Sequence, residues 1–156
     1  MSLDSVKGVF ADLKFSAQPE GATLDQVQGA EKQLGISLPP AYREFLQWMG
    51  VSPAGILLGS DWLIDDLPDL KPKAIKLMAS NNFPKQLPAD AFVFWMNQNN
   101  VLTFVLLSQG DASPVYRYHQ TLDTKDFTII NKDYPEWLTQ QIQEHVERQK
   151  SFGQKW

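Results

Sequence analysis

Apolar residues recur along the first fifty positions at helical intervals. Val6, Phe10 and Leu13 fall four and three apart, which predicts a helix over residues 3–13. Lys14 to Glu20 reads as a connection, with Pro19 and Gly21 as breakers. Leu24, Val27, Ala30 and Leu34 mark a second helix. Thr23, followed three residues later by Gln26, gives its start a capping-box pattern, and Gly35 supplies a left-handed end. Gly29 in its middle costs up to about 1 kcal/mol relative to Ala, so close packing against another element is expected there. Leu38-Pro39-Pro40 opens a third helix, because the missing proline N–H has no partner in a first turn anyway. Its apolar face is Tyr42, Phe45, Leu46 and Met49, with Trp48 at the margin and Gly50 as the stop.

The period then shortens. Ile56–Leu58 and Trp62–Ile64 are short strand candidates around Gly59, and residues 73–80 predict a short helix through Ile75 and Met78 or Leu77. Prolines 68, 72, 84 and 88 punctuate the intervening loops. Ala91–Met96 and Val101–Leu107 are apolar runs rich in aromatic and β-branched residues, separated by Asn97–Asn100 as by a hairpin loop. Val115–His119 alternates, with Tyr116 and Tyr118 on one face, and Phe127–Ile130 is a fourth run. Short loops between consecutive runs favour an antiparallel meander. Its central strands are apolar on both faces, so each face needs a cover. A last helix starts near Asp133 and Pro135, with Trp137, Leu138, Gln141, Ile142 and His145 or Val146 on one face and a Glu144–Arg148 pair on its surface. The pattern predicts an α+β domain in which N-terminal helices and a C-terminal helix pack on an antiparallel sheet. One domain over 1–156 is expected, with its core at about 21–146 and a frayed end at 149–156.

Composition removes several chemistries. The chain has no cysteine, so a disulfide scaffold, a zinc ribbon and a thiol nucleophile are excluded. Its two histidines, His119 and His145, are too far apart in sequence for a His-x-x-x-His metal motif. Each reads as a surface or edge residue. Neither a nucleophile elbow nor a glycine-rich phosphate loop occurs. No catalytic residues, metal or cofactor are expected, and the chain reads as a non-enzyme. A sequence pI near 5.1 argues against direct nucleic-acid binding. Without a secretory signal or an apolar stretch of membrane-spanning length, the expected location is the cytoplasm, with no membrane partner.

Charge is distributed unevenly. Residues 55–70 hold Asp61, Asp65, Asp66 and Asp69 and no base, a net charge of −4 that equals the charge of the whole chain. Residues 71–90 hold four Lys and Asp90, a net +3. The acidic segment is the candidate surface for steering a basic partner, with Trp62 as an aromatic anchor. Tyr116 and Tyr118, with Trp62, are candidates for a peptide- or sugar-binding surface.

Several of these residues carry a resemblance. Gly21-Ala22-Thr23, Glu31 through Leu34-Gly35, Leu38-Pro39-Pro40, Tyr42, Phe45-Leu46 and Gly50 resemble the SUKH superfamily, which includes the yeast Smi/Knr cell-wall synthesis regulators and many bacterial immunity proteins. Val115-Tyr116 is similar to the family's Val-Tyr strand and Trp137-Leu138 to its C-terminal helix. The chain departs from the pattern at Met49-Gly50, Asn99-Asn100 and Arg117-Tyr118-His119. The resemblance implies an α+β fold and a protein that binds and neutralises a cognate toxin, such as a basic nuclease or a deaminase; a monomer or weak homodimer is expected. It also implies, as alternatives, a regulatory or scaffold module; a small-ligand or glycan binder is the reading the aromatics would favour.

Overall fold

The computed structural model describes residues 3–11, 19–57, 59–98, 100–121 and 125–151. Three helices come first: α1 (Asp4–Ala11), α2 (Leu24–Leu34) and α3 (Pro40–Met49). Strand β1 (Ser60–Asp61) and a 3₁₀ turn at Ile64–Asp66 lead into α4 (Leu67–Ser80). Strands β2 (Ala91–Asn97) and β3 (Val101–Leu106), a second 3₁₀ segment at Leu107–Ala112, β4 (Val115–His119), β5 (Thr128–Asn131) and α5 (Tyr134–Ser151) complete the order. The sheet is an antiparallel meander, β1-β2-β3-β4-β5. The α+β expectation holds. Phe10 and Leu13, part of the expected first stripe, lie outside the described side chains.

Local signals act where the sequence places them. Thr23 accepts from the Gln26 amide at 3.1 Å while Gln26 Oε1 accepts from the Thr23 amide at 2.8 Å. Gly35 closes α2 with φ +69°. The start of α5 is capped by Asp133, whose carboxylate accepts from the Glu136 amide at 2.9 Å. Helix α3 has no local cap; instead Asp111, seventy residues on, accepts from the Ala41 amide at 3.1 Å. Glu144 accepts from Gln140 at 3.1 Å instead of pairing with Arg148.

The middle of the chain departs from expectation. Residues 62–64 are not a strand but the entry to the 3₁₀ turn, and the segment from Ile56 is turn, with Leu58 outside the described residues. Strand β1 is only Ser60–Asp61. Helix α4 begins six residues before the expected position and runs through Pro68 and Pro72. Pro68 sits in the first turn, where proline is tolerated; Pro72 removes one helical hydrogen bond, and burial of Leu67, Leu70, Ala74, Leu77 and Met78 offsets that loss. Ile75, expected on the buried stripe, is 53% exposed. The backbone of α5 is still helical at Ser151.

Both sheet faces are covered. On one, Tyr42 and Phe45 of α3 and Tyr134 and Trp137 of α5 form a continuous ring cluster with Phe92 and Phe94. A bulge between Val93 and Trp95 makes this possible. It inserts Phe94 as an extra residue, so the consecutive Phe94 and Trp95 both reach Trp137, at 4.8 and 6.1 Å between ring centroids. On the other face lie α4 and the segment after it, where Phe83 meets Tyr118 at 4.8 Å and Phe127 at 5.3 Å. Helix α1 packs on α5 and buries Val6, with Leu3 just before it, in the core, and Lys7 adds a pair with Glu44 at 3.2 Å and lies over the Trp48 ring.

Two glycines have opposite meanings. A Cβ on Gly21 would lie 1.8 Å from the Gln47 carbonyl oxygen of α3, so only glycine allows this approach. A Cβ on Gly29 would meet nothing within 4 Å. The close packing expected at Gly29 is absent, because that face of α2 points to solvent. Gly21→Ala should therefore lower unfolding stability by roughly 3 kcal/mol, whereas Gly29→Ala should raise it by up to about 1 kcal/mol. Urea unfolding of the two variants checks both signs.

Candidate functional surface

Strand parity separates the acidic segment from its expected anchor. Asp61 pairs with Met96 in the β1–β2 ladder and its side chain lies on the α4 side of the sheet, 3.7 Å from Lys73 Nζ. Trp62, the next residue, turns to the opposite side. It is 1% exposed, packed against Phe45 at 5.0 Å and Trp137 at 6.3 Å. Trp62 is therefore a core residue and cannot anchor a surface partner, a correction to the sequence reading.

The carboxylates also divide. Asp66 Oδ2 accepts from the backbone amides of Trp62 and Leu63, at 3.1 and 3.0 Å. It fixes the turn that enters α4 and lies close enough to buried Tyr42 to add to the burial that holds the Tyr42 phenol far above its ordinary range. Asp65 and Asp69 are exposed on the turn and the first helical turn of α4, where negative charge suits the helix dipole. Asp61 is half-buried beside a groove of about 460 Å³ lined by Gly59, Lys73, Lys76, Leu77, Ser80 and Gln98. The groove is mixed in charge, because the lysines of α4 stand over Asp61. One lining residue, Gln98, holds φ of +50°, a region that side chains disfavour.

The two tyrosines belong elsewhere. Tyr118 is 4% exposed, packed on Phe83, and its phenol is pushed up by burial and drawn partly back by a hydrogen bond from Asn81. Tyr116 is half-buried, stacked on Phe104 at 5.1 Å with 13° between planes. Both lie on β4, three strands from β1 and thus about 14 Å across the sheet from Asp61. An aromatic platform of Trp62, Tyr116 and Tyr118 does not form: two of the three rings are buried and they sit on different faces. The sequence signal that could have shown this is the alternation at residues 61–62, where an acid on one side of a strand places its neighbour in the core.

The two histidines lie on different elements, His119 at the end of β4 and His145 on α5. His119 Nδ1 lies 2.8 Å from the Thr121 hydroxyl. His145 is partly buried on α5, and its proton affinity is lowered by that burial and then by Arg148. Among the described residues no group of His, Asp and Glu is placed to hold a metal ion, and no helix is long and apolar enough to cross a membrane.

Residues 21–140 match the model of the SMI1 / KNR4 family (SUKH-1), and the chain belongs to that family. No individual curated protein matches it. The structure gives physical reasons for the motif residues. Gly21 and Ala22 contact the end of α3, and Ala22 N donates to Leu46 O at 2.7 Å. The Glu31 carboxylate accepts from the Leu38 amide at 2.7 Å, joining α2 to α3. Tyr42, Phe45 and Trp137 form the ring cluster.

Two measurements follow from this division. Asp66→Ala leaves two backbone donors without their acceptor and should cost about 1–3 kcal/mol; Asp65→Ala and Asp69→Ala should stay within about 0.5 kcal/mol of the parent, as read by urea unfolding. His145 binds its proton less readily folded than unfolded. Stability from this group is thus present above the ordinary histidine range, near 6.5, and is lost as pH falls below it. Unfolding midpoints between pH 7.5 and 5.5 should fall less in His145→Gln than in the parent.

Proposed function

We propose that this chain is a non-catalytic protein-binding domain that acts as an immunity protein, binding a cognate bacterial toxin and blocking it stoichiometrically. The observation that carries this reading is membership of the SMI1 / KNR4 family (SUKH-1) over residues 21–140, whose bacterial members commonly have this role. Asp65 and Asp69 give the reading a surface. Asp65 is exposed on the turn that enters α4, Asp69 is exposed in the first turn of the helix, and Asp61 lies on the adjoining strand. Such a surface attracts a basic partner, such as a nuclease, and raises its association rate. Asp66 supports this surface from behind by fixing the turn. A regulatory or scaffold module of the same family is the alternative; it would recover housekeeping proteins rather than a toxin from native cells.

Co-expression with the product of the adjacent gene, followed by affinity capture, tests the class: a stable one-to-one complex is expected, with loss of the toxin's activity. Asp65→Lys combined with Asp69→Lys should slow association about tenfold at low salt and flatten its salt dependence. Unchanged association kinetics in stopped flow would remove the acidic surface from the proposal while leaving the class standing.

A further inference from the structure

Helix α4 has a second groove on its other side, away from Asp61. It encloses about 520 Å³ between the helix and the segment that returns toward β2. Met78, Phe83 and Leu87 form its apolar floor, and Ile75 stands on its lip with 53% of its surface exposed. Among the described residues it has no acidic lining group, and its cationic members are Lys71 and Lys85. Lys71 Nζ donates to the Ala89 carbonyl at 2.8 Å, spanning the groove from helix to loop and holding its walls together. Lys85 lies 3.9 Å from Asp126, with both side chains more than half exposed.

The nearest acids are turned to other tasks. Asp90, beyond the groove's end, accepts from the Ser108 amide and hydroxyl. Asp126 meets Lys85 in an exposed pair, a contact of small net worth that an incoming carboxylate can replace. Lys73 and Lys76 line the groove on the opposite flank, where Lys73 meets Asp61 at 3.7 Å, so the positive charge offered here is that of Lys71 and Lys85. An apolar slot with an exposed aliphatic lip and a cationic rim is complementary to an acidic chain carrying one large apolar side chain.

We infer that the groove between α4 and residues 83–89 binds an acidic segment of a partner protein, with an aliphatic or aromatic side chain seated against Phe83 and Leu87 and carboxylates facing Lys71 and Lys85. This inference stands apart from the acidic surface at Asp65 and Asp69: it uses the opposite charge and the other flank of the helix. The two surfaces together give α4 a polarity, acidic at its start and basic along its body, that a partner with both charges would match in one orientation only.

A random peptide library displayed on phage and panned against the full chain tests the inference. Enriched sequences should combine Asp or Glu with one large apolar residue. Synthetic versions of them should bind at least tenfold more weakly to Ile75→Glu and to Lys85→Glu, and should weaken with salt. Both positions are exposed, so the variants should melt with the parent, and a melting temperature in each case confirms it. Failure to enrich any sequence, enrichment of basic sequences, or equal binding to parent and groove variants would overturn the inference. So would a homodimer in analytical ultracentrifugation that Ile75→Glu dissociates, since the occupant would then be a second copy of the chain.

Discussion

The arrangement of the helices depends on a backbone contact at the end of α3. A helix leaves its last carbonyls without internal partners, and here the neighbouring chain supplies donors to that region. Ala22 N donates to Leu46 O, which also receives the Gly50 amide at 3.0 Å. Glu20 bridges to Ser52, and Gly50 O takes the Ile64 amide at 2.9 Å. The approach is possible only because Gly21 has no Cβ to strike Gln47 O. The entry to α2, the loop after α3 and the entry to α4 are thereby referenced to one helical turn. The entry to α4 is thus referenced to a contact that Ala22 makes far earlier in the chain.

Sheet parity then decides which side chains remain available. Asp61 and Trp62 are neighbours in sequence but lie on opposite sides of the sheet, one beside α4 and the other under α3 and α5. The bulge in β2 resets parity once more, so that Phe94 and Trp95 share a partner and Met96 returns to the α4 side opposite Leu102. The ring cluster under α3 and α5 therefore takes Trp62, while Tyr116 and Tyr118 pack on Phe104 and Phe83 on the other face. On and just before α4 the surface offers charge, with the exposed aliphatic side chain of Ile75 beside it.

The elements with local signatures were legible from sequence. Helices α2 and α3 are bounded by the capping box, Gly35 and Pro40, and the meander follows from apolar runs separated by short polar loops. Helix α4 was legible only in its second half. Pro72 is a breaker by local rules, and the tertiary burial of Leu67, Leu70 and Ala74 carries the helix through it, while Pro68 fits the first turn. The acidic cluster was visible as composition, but its division was not: Asp66 is consumed by two amides three and four residues upstream, a turn geometry that spacing does not specify. The apolar groove was invisible for a similar reason. Ile75 reads as a core position by helical period, and only the fold leaves it outside, beside the segment that follows α4.

The crowding of indoles in the core has an optical consequence. Trp62 and Trp137 are both fully enclosed, with ring centroids 6.3 Å apart and planes crossed at 72°, and Trp95 lies 6.1 Å from Trp137. Excitation absorbed by one of these rings passes readily to the others, and their emission reports a dry, rigid environment. Neither flank of α4 includes a tryptophan among its groove residues. The emission of these three indoles is thus a gauge of whether the core is assembled, while an event on the charged helix is better followed with a label placed on α4 itself.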